Sequence, residues 1–321
     1  MKSFKKILTG LLIVLIVASL AAIIYVSQFG YEDKKDTVKA PKPAEKETAA
    51  PRAVLPPAPG KQPEKNITTS PRSAAKKEKA VIAKIEKFPA ASGQVAIIVD
   101  DIGHDLAALR ELLKIDAGIT FAVLPLLHHS RDAAEIINKA GREALLHLPM
   151  EPSSYPREKP GSGALFTDMN NKELLYQLEK NLASVPHISG VNNHMGSKFM
   201  EDKERLTLVF SALKKRNLFF IDSRTTAKSA AAAASAKVGL PMASRHIFLD
   251  NSRNYKEIYQ ILMDAAARAE KGNNQPLIII GHPYPDTIRA LRDAMKVFRE
   301  KNIQVVPVSR VFQVKTEKGD S

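Results

Sequence analysis

Hydrophobic and polar positions divide this chain of 321 residues into three parts. Residues 7–26 carry no charge and are mostly apolar, and this stretch is long enough to cross the hydrocarbon core of a bilayer. Residues 31–93 hold nine of the 20 prolines and show almost no apolar periodicity, which predicts an extended, disordered linker. From residue 94 onward, short apolar runs alternate with amphipathic stretches, as in repeated strands and helices.

The third part predicts strand-like segments that are separated by helical ones. Strands are expected at 95–99, 119–124, 144–148, 190–193, 218–221, 246–249, 277–280 and 305–308, and the clearest helices at 105–114, 172–183, 205–215, 255–271 and 286–301. Such repetition indicates an α/β fold with a parallel sheet, either doubly wound or closed into a barrel. Seven or eight strands favour an irregular (β/α) barrel. No glycine-rich phosphate loop follows the first strand, so a nucleotide-binding fold has little support.

These patterns predict four segments along the chain. We expect a signal anchor or transmembrane helix at 1–30, a linker rich in Pro, Lys and Ala at 31–93, the barrel at 94–315 and a disordered tail at 316–321. Lys2, Lys5 and Lys6 precede the apolar segment, which favours a cytoplasmic N-terminus with the barrel outside. The sequence therefore predicts a single-pass inner-membrane anchor in a bacterial envelope, with the barrel in the periplasm. The alternative is a cleaved signal peptide and a periplasmic or secreted protein.

Composition limits the chemistry and the partners. The chain has no cysteine, so any metal site must use His, Asp, Glu or Asn side chains. Its net charge of +14 lies largely outside the barrel, because residues 1–93 hold 17 Lys/Arg against 8 Asp/Glu. With no tryptophan and few aromatic residues in that basic third, we expect no nucleic-acid partner. The sequence leaves the oligomeric state open.

Polar and titratable residues stand just after six of the predicted strands. They are Asp100, Asp101, His147, Glu151, Asn192, Asn193, His194, Ser197, Asp222, Arg224, Asp250 and His282. Because the carboxyl ends of parallel strands converge on one mouth, these side chains predict an active site there.

Two adjacent carboxylates, Asp100 and Asp101, end the first strand. Like charges at close range resist joint ionisation, so the pair indicates a metal, a shared proton or a helix N-cap. Three histidines at the same mouth favour a divalent metal, with zinc as the first candidate. One carboxylate would bind the ion and the other would act as a general base. Ordinary structural interpretations stay open: a core histidine for His147, or an ion pair between Asp222 and Arg224.

At this point the residues carry a resemblance. The runs AIIVDDIG, LLHLPMEP, GVNNHMGSKF, FIDSRT, IFLDN and IIIGHPYP resemble the divergent polysaccharide deacetylase family over about residues 94–312. This family is a distant branch of the metal-dependent polysaccharide deacetylases. The resemblance implies a (β/α) barrel hydrolase that removes N- or O-acetyl groups from a sugar polymer, with polysaccharide or peptidoglycan as its substrate.

The resemblance also implies individual roles. Asp100 would be the base, Asp101 and His147 metal ligands, and His282 the group that protonates the leaving amine. The superfamily places a second histidine four residues after the first, where this chain has Glu151. Either Glu151 or His194 would then complete the metal site, and we expect His194. Arg224 or Arg245 would orient the base, with Asp222 or Asp250 as partner, and Asn193 and Ser197 would contact substrate or support the site.

Two other functions remain open from the sequence. The departure at Glu151 keeps alive a catalytically inactive envelope module that binds a glycan or a protein. A glycoside hydrolase is less expected, because its paired carboxylates need no metal and the mouth is rich in histidine.

Overall fold

The structure is a computed structural model that describes residues 91–271 and 275–313. The predicted anchor, almost all of the predicted linker and the C-terminal tail lie outside these residues. Within the two ranges, no helix combines the length and apolar character that a membrane crossing requires.

The described residues contain a parallel sheet of nine strands. The strands are β1 Gly93–Ile102, β2 Thr120–Val123, β3 Glu143–Met150, β4 Ile188–Met195, β5 Phe219–Asp222, β6 Met242–Ser244, β7 Ile247–Phe248, β8 Leu277–Gly281 and β9 Ile303–Val305. Their order in the sheet is β6-β5-β4-β3-β2-β1-β8-β7, and β9 pairs with the start of β1.

Helices connect most of these strands. They are α1 Leu106–Leu113, α2 Ser130–Lys139, α3 Asn171–Ser184, α4 Lys203–Lys214, α5 Ala231–Val238, α6 Tyr255–Glu270 and α7 Pro285–Glu300, with 3₁₀ turns at Phe199–Glu201 and Val308–Phe312. Side-chain caps start several of them: Asn170 forms a capping box with Glu173, and Asp202 and Asn254 each accept two backbone N–H groups.

The sequence pattern missed α5 and β6 and misplaced the last strand. An alanine run has high helix propensity but carries no apolar periodicity, and β6 has only three half-buried residues. The run predicted as a strand at 305–308 is divided, because β9 ends at Val305 and a 3₁₀ turn begins after Pro307.

The sheet separates two apolar clusters. Along β1, Val95, Ile97 and Val99 pack against the surrounding helices, whereas Ala96 and Ile98 face the inside of the curled sheet. The inner cluster is closed by the C-terminal 3₁₀ turn, whose Val308 is fully buried. The inside is therefore filled with apolar side chains towards the N-terminal ends of the strands, and polar residues occupy its other end.

The curled sheet is an irregular α/β barrel, which confirms the predicted fold class. Strands β6 and β7 stand at the two ends of the sheet order and are joined only through Arg245 and His246. The N–H of Arg245 donates to Asp222 O at 3.0 Å, and the N–H of His246 donates to Ile278 O at 2.9 Å.

Candidate active site

The alternation of side chains along each strand selects which residues enter the mouth. Leu145 of β3 and Ile280 of β8 face the inside of the barrel, so His147 and His282, two residues further on, face the same way. Val191 of β4 packs on the helix side, so Asn192 and His194 face inward. The mouth therefore collects inward-facing polar residues from β1, β3, β4 and β8.

Asp101 reaches this mouth through an irregularity of β1. Its φ of 58° is left-handed, and the pairing of β1 with β2 shifts register between Val99 and Ile102. In a regular strand Asp101 would point away from Asp100 towards the helices. The irregularity turns both carboxylates to one side, and aspartate is among the residues that tolerate this backbone conformation.

Asp101, His147 and His194 form a compact three-residue cluster. Asp101 Oδ1 lies 3.3 Å from His147 Nε2 and 3.1 Å from His194 Nδ1, and the two ring nitrogens are 3.1 Å apart. A tetrahedral ion with bonds of about 2.0–2.1 Å holds its ligand atoms about 3.3–3.4 Å apart. Asp101 Oδ1 is also buried and accepts no hydrogen bond from the residues that the structure describes. The cluster has the size and donor atoms of one face of a zinc-type site.

Asn192 connects this cluster to Asp100. Its Nδ2 donates to Asp100 Oδ1 at 2.8 Å, and its Oδ1 lies 2.9 Å from His147 Nδ1. An ionised carboxylate only accepts, so the amide nitrogen faces Asp100 and the amide oxygen faces His147. The proton of His147 then sits on Nδ1, which leaves Nε2 free to bind a cation.

The carboxylates and His147 have strongly altered acidities. Burial raises the pKa of Asp100, against the opposing effect of His147 and His282. Burial also acts to raise the pKa of Asp101, but its contacts with His147 and His194 outweigh this and hold it well below its ordinary value. Burial acts to lower the pKa of His147, but the charge on Asp100 and the contact with Asp101 raise it to about 9. The site thus favours a cation between these carboxylates.

His282 stands across the mouth and is fixed by Asp250. Its Nδ1 lies 2.9 Å from Asp250 Oδ1, while its backbone N–H and Thr287 Oγ1 donate to Asp250 Oδ2 at 2.6 and 2.9 Å. Its Nε2 points towards Asp101 Oδ2, 3.8 Å away. Burial acts to lower the pKa of His282, but the bond to Asp250 and the charges of the Asp100–Asp101 pair outweigh this and raise it.

A family model for divergent polysaccharide deacetylases matches residues 97–312. The chain belongs to this family. Among curated relatives, the uncharacterized protein YibQ of Escherichia coli is 35% identical over 208 residues, which cover 64% of this chain and 63% of YibQ. An uncharacterized protein of Haemophilus influenzae is 31% identical over 226 residues, 70% of this chain and 79% of that protein. The matched part therefore spans less than two thirds of YibQ.

A solved structure shares the fold of this family member. The crystal structure of an uncharacterized protein from Agrobacterium tumefaciens superposes with a TM-score of 0.65 at 23% identity, covering 70% of this chain and 91% of the other. This similarity supports the barrel architecture.

Two of the predicted site residues anchor a loop instead. Glu151 was one of two candidates for the last metal ligand, and it is absent from the cluster that His194 completes. Its Oε2 accepts from the N–H and Oγ1 of Thr167 at 2.7 and 2.6 Å, and its Oε1 accepts from Lys198 at 2.7 Å. Ser197 Oγ accepts from the N–H of Ser153 at 2.9 Å. Both residues fix the segment between β3 and α3.

Two further predicted residues lie on the helix side of their strands. Asn193 follows the inward-facing Asn192, and its Oδ1 accepts from the N–H of Ser223 while its Nδ2 donates to Met195 O. Asp222 follows Ile221, which packs inside the barrel, and it accepts from the Arg224 N–H and from Ser229 Oγ, both at 2.7 Å. These contacts fasten neighbouring loops.

The two predicted arginines make contacts other than the expected ones. The ion pair between Asp222 and Arg224, which the sequence left open as an alternative, does not form among the described residues; the Arg224 backbone N–H donates to Asp222 instead, and Arg224 is exposed. Arg245 is half-buried and donates to two carbonyls, Ser223 O at 2.8 Å and Arg224 O at 3.3 Å. Asp250, which was paired with an arginine by expectation, instead holds His282. Burial and the nearby Arg224 charge lower the pKa of Arg245, against the opposing charges of Asp222 and Asp100.

Asn192 was counted among the polar residues of the predicted mouth, but a supporting role was assigned to Asn193 and none to Asn192. The signal was present in the strand itself, because residues 192 and 194 share a face of β4 and His194 was already a candidate ligand.

Proposed function

We propose that this family member is a metal-dependent hydrolase that removes acetyl groups from an envelope or exported polysaccharide, with peptidoglycan as one candidate. The observation that carries the proposal is the Asp101–His147–His194 cluster with Asp100 on one side and the Asp250–His282 pair on the other. Membership in the deacetylase family supports it.

The cluster would hold a divalent cation, and the mixture of imidazole and carboxylate donors suits zinc. When bound, such an ion polarises an acyl carbonyl and makes water more acidic. Asp100 would take a proton from the attacking water. It is buried, its Oδ2 lies 3.6 Å from His147 Nε2, and its raised pKa makes it a stronger base than an exposed carboxylate.

His282 would supply the proton for the leaving group. Asp250 fixes Nδ1, so Nε2 is the ring atom that faces the mouth. Against the effect of burial, the bond to Asp250 and the charges of the Asp100–Asp101 pair raise the pKa of His282, which favours the protonated form that a general acid requires. Water adds its oxygen to the acetyl carbon and the bond from that carbon to the sugar nitrogen or oxygen breaks. The sugar leaves with the proton from His282, Asp100 holds one proton of the water, and the water oxygen leaves with the second proton in acetic acid, which ionises to acetate in solution.

The location in the envelope is part of this proposal. The uncharged segment 7–26 would anchor the chain in the inner membrane, and the proline-rich linker over 31–93 would let the barrel reach a polymer outside it. Cleavage of the segment as a signal peptide would leave the barrel in the same compartment.

Metal content of the full chain tests the site first. We expect about one zinc ion per chain in the wild type and in His187→Ala, and none tightly held in Asp101→Ala or His194→Ala. His187 is a matched control because it pairs with Glu135 at 3.2 Å outside the mouth. A wild-type chain that holds no divalent ion after zinc is supplied would refute the hydrolytic mechanism.

Acetate release from acetylated polysaccharides then tests the reaction. Asp100→Asn should keep the metal and lose roughly 10²–10⁴-fold in rate, as expected for removal of a general base. A metal-loaded wild type that binds polymer without releasing acetate would favour the non-catalytic binding module.

A further inference from the structure

A cavity of about 220 Å³ opens beside the metal cluster. Asp101 and His194 of the cluster line it together with His104, and the ends of β2 and β3 supply apolar walls through Leu124, Leu127 and Pro149. This volume exceeds what the three heavy atoms of an acetyl group need. A molecule that places an acetyl group at the cluster therefore has room here for a further part of itself, such as the ring that carries the acetyl group.

A further part of the wall is the segment from Lys159 to Ser162. This segment belongs to the β3–α3 connection, which is held at several points. Leu165 forms a parallel bridge with Met150, and Asn181, which is fully buried, donates from Nδ2 to Gly163 O at 2.7 Å. Gly163 has a φ of 80°, and a Cβ there would come within 2.3 Å of Asn181 Oδ1. The wall is therefore built into the fold by buried contacts.

Lys159 is the cation of this wall. In the described ranges its ammonium makes no ion pair, in contrast to Lys198 of the same mouth, which binds Glu151 at 2.7 Å. The cavity has one carboxylate among its lining residues, and that is Asp101, a member of the metal cluster. A divalent cation held at the cluster would be balanced by Asp101 and the neighbouring Asp100, which leaves the Lys159 ammonium as the charge for which the cavity lining supplies no carboxylate.

We infer that the cavity binds a sugar residue that carries a carboxylate, and that Lys159 pairs with this carboxylate while the acetyl group lies at the metal cluster. This inference rests on the proposed hydrolase function and adds the class of polymer. Arg224, which follows β5, and Arg245, between β6 and β7, agree with it, since neither makes an ion pair with a carboxylate among the described residues. An acidic glycan would meet cations on both sides of the reacting group.

Matched pairs of acids and methyl esters test this inference by binding. One pair is the disaccharide of N-acetylglucosamine and N-acetylmuramic acid and its methyl ester, which represents peptidoglycan. The other is an O-acetylated uronic acid disaccharide and its ester, which represents exported acidic polysaccharides. Titration calorimetry would use the full chain with zinc in an Asp100→Asn background, so that no probe is consumed.

We expect the acid of at least one pair to bind about tenfold more tightly than its ester, because a charge-assisted bond is lost in the ester. Lys159→Gln should reduce this preference to less than about twofold, whereas Lys159→Arg and the exposed control Lys296→Gln on α7 should retain it. The pair that shows the preference identifies the source of the polymer.

Equal binding of acid and ester in both pairs, no binding of any probe, or a preference that survives Lys159→Gln would each overturn the inference. Acetate release by the wild-type chain distinguishes failure of the acidic-sugar inference from failure of the proposed hydrolase function. Equal release from acid and ester would leave the hydrolase and remove the acidic subsite. Selective binding of the acid without acetate release would support the acidic subsite and contradict the hydrolase function.

Discussion

A single amide, that of Asn192, fixes the two groups on which the proposed chemistry depends. It donates to Asp100 and accepts from His147, so one side chain sets the direction of the base and the tautomer of a metal ligand. Its residue is fully buried, which shields both hydrogen bonds from competition with water.

Replacing Asn192 by leucine should therefore weaken the metal site without emptying the space. The ring of His147 would lose the acceptor that keeps its proton on Nδ1, and we expect zinc affinity to fall about 10- to 100-fold. Competition with a chromogenic chelator measures this. Ser197→Ala serves as the control, because Ser197 contacts the backbone of Ser153 and should leave the affinity unchanged. Wild-type affinity in Asn192→Leu would show that Asn192 is only a packing residue.

The alternation of side chains along each strand explains which site residues can be predicted from the sequence and which cannot. Asp100, His147, His194 and His282 stand two residues beyond an inward position or share a face with one, and the structure brings all four to the mouth. Because the apolar strands are buried on both faces, their sequences do not show which side chains point into the barrel and which point towards the helices.

At the scale of elements, β1 shows where this counting fails for a physical reason. Asp101 has the parity of the helix side, and only its left-handed backbone returns it to the mouth. The sequence shows two adjacent aspartates, but the residues of the strand do not predict the register shift. The adjacency of Asp100 and Asp101 led to the prediction that both act in one site, but regular alternation would have placed the two carboxylates on opposite faces of the strand.

The β3–α3 connection is the element in which Glu151 acts. Its carboxylate accepts two hydrogen bonds from Thr167 and one from Lys198, and it is 6% exposed. Burial acts to raise the pKa of Glu151, but these bonds outweigh it and lower the pKa. The four-residue spacing from His147 resembles a metal motif, yet the residue reaches the loop because β3 ends at Met150.

Glu151→Gln should destabilise the protein by about 1–3 kcal/mol at neutral pH, since hydrogen bonds to a buried charge are lost. Lys198→Ala should cost less than about 1 kcal/mol, because the lysine side chain is half exposed. Urea unfolding of the full chain measures both free energies.

The loss of stability caused by Glu151→Gln should become smaller as the pH falls. The folded pKa of Glu151 is below its ordinary value of 4.5, so the carboxylate adds stability above that pH and loses it as the pH falls through the folded pKa. The free energies of unfolding of wild type and Glu151→Gln should therefore converge in acid. A difference that stays constant down to pH values well below 4.5 would contradict this role for the charge.

At the scale of the whole molecule, the sequence predicted the barrel but not its closure. Eight runs were enough to give the parallel sheet, because most of the strands are short apolar segments that alternate with helices, although β4 is largely polar. The closing parts are short: β6 and β7 have three and two residues, and β9 with its 3₁₀ turn spans 303–312. Such elements carry little periodicity, and their positions follow from tertiary contacts.

The C-terminal closure should be required for the fold although it contributes no site residue. Val308 is fully buried in the inner cluster, its N–H donates to Thr120 Oγ1, and Phe312 packs on Phe219. A chain ended after residue 302 would expose the apolar inside of the barrel to water. We expect it to bind a hydrophobic dye and to lose cooperative unfolding, whereas a chain ended after residue 313 should unfold like the full chain. Zinc should be retained only by the longer chain, because the cluster depends on strand ends that the closed barrel holds together. Cooperative unfolding of the shorter chain at an unchanged midpoint would show that the barrel is stable without its closing turn.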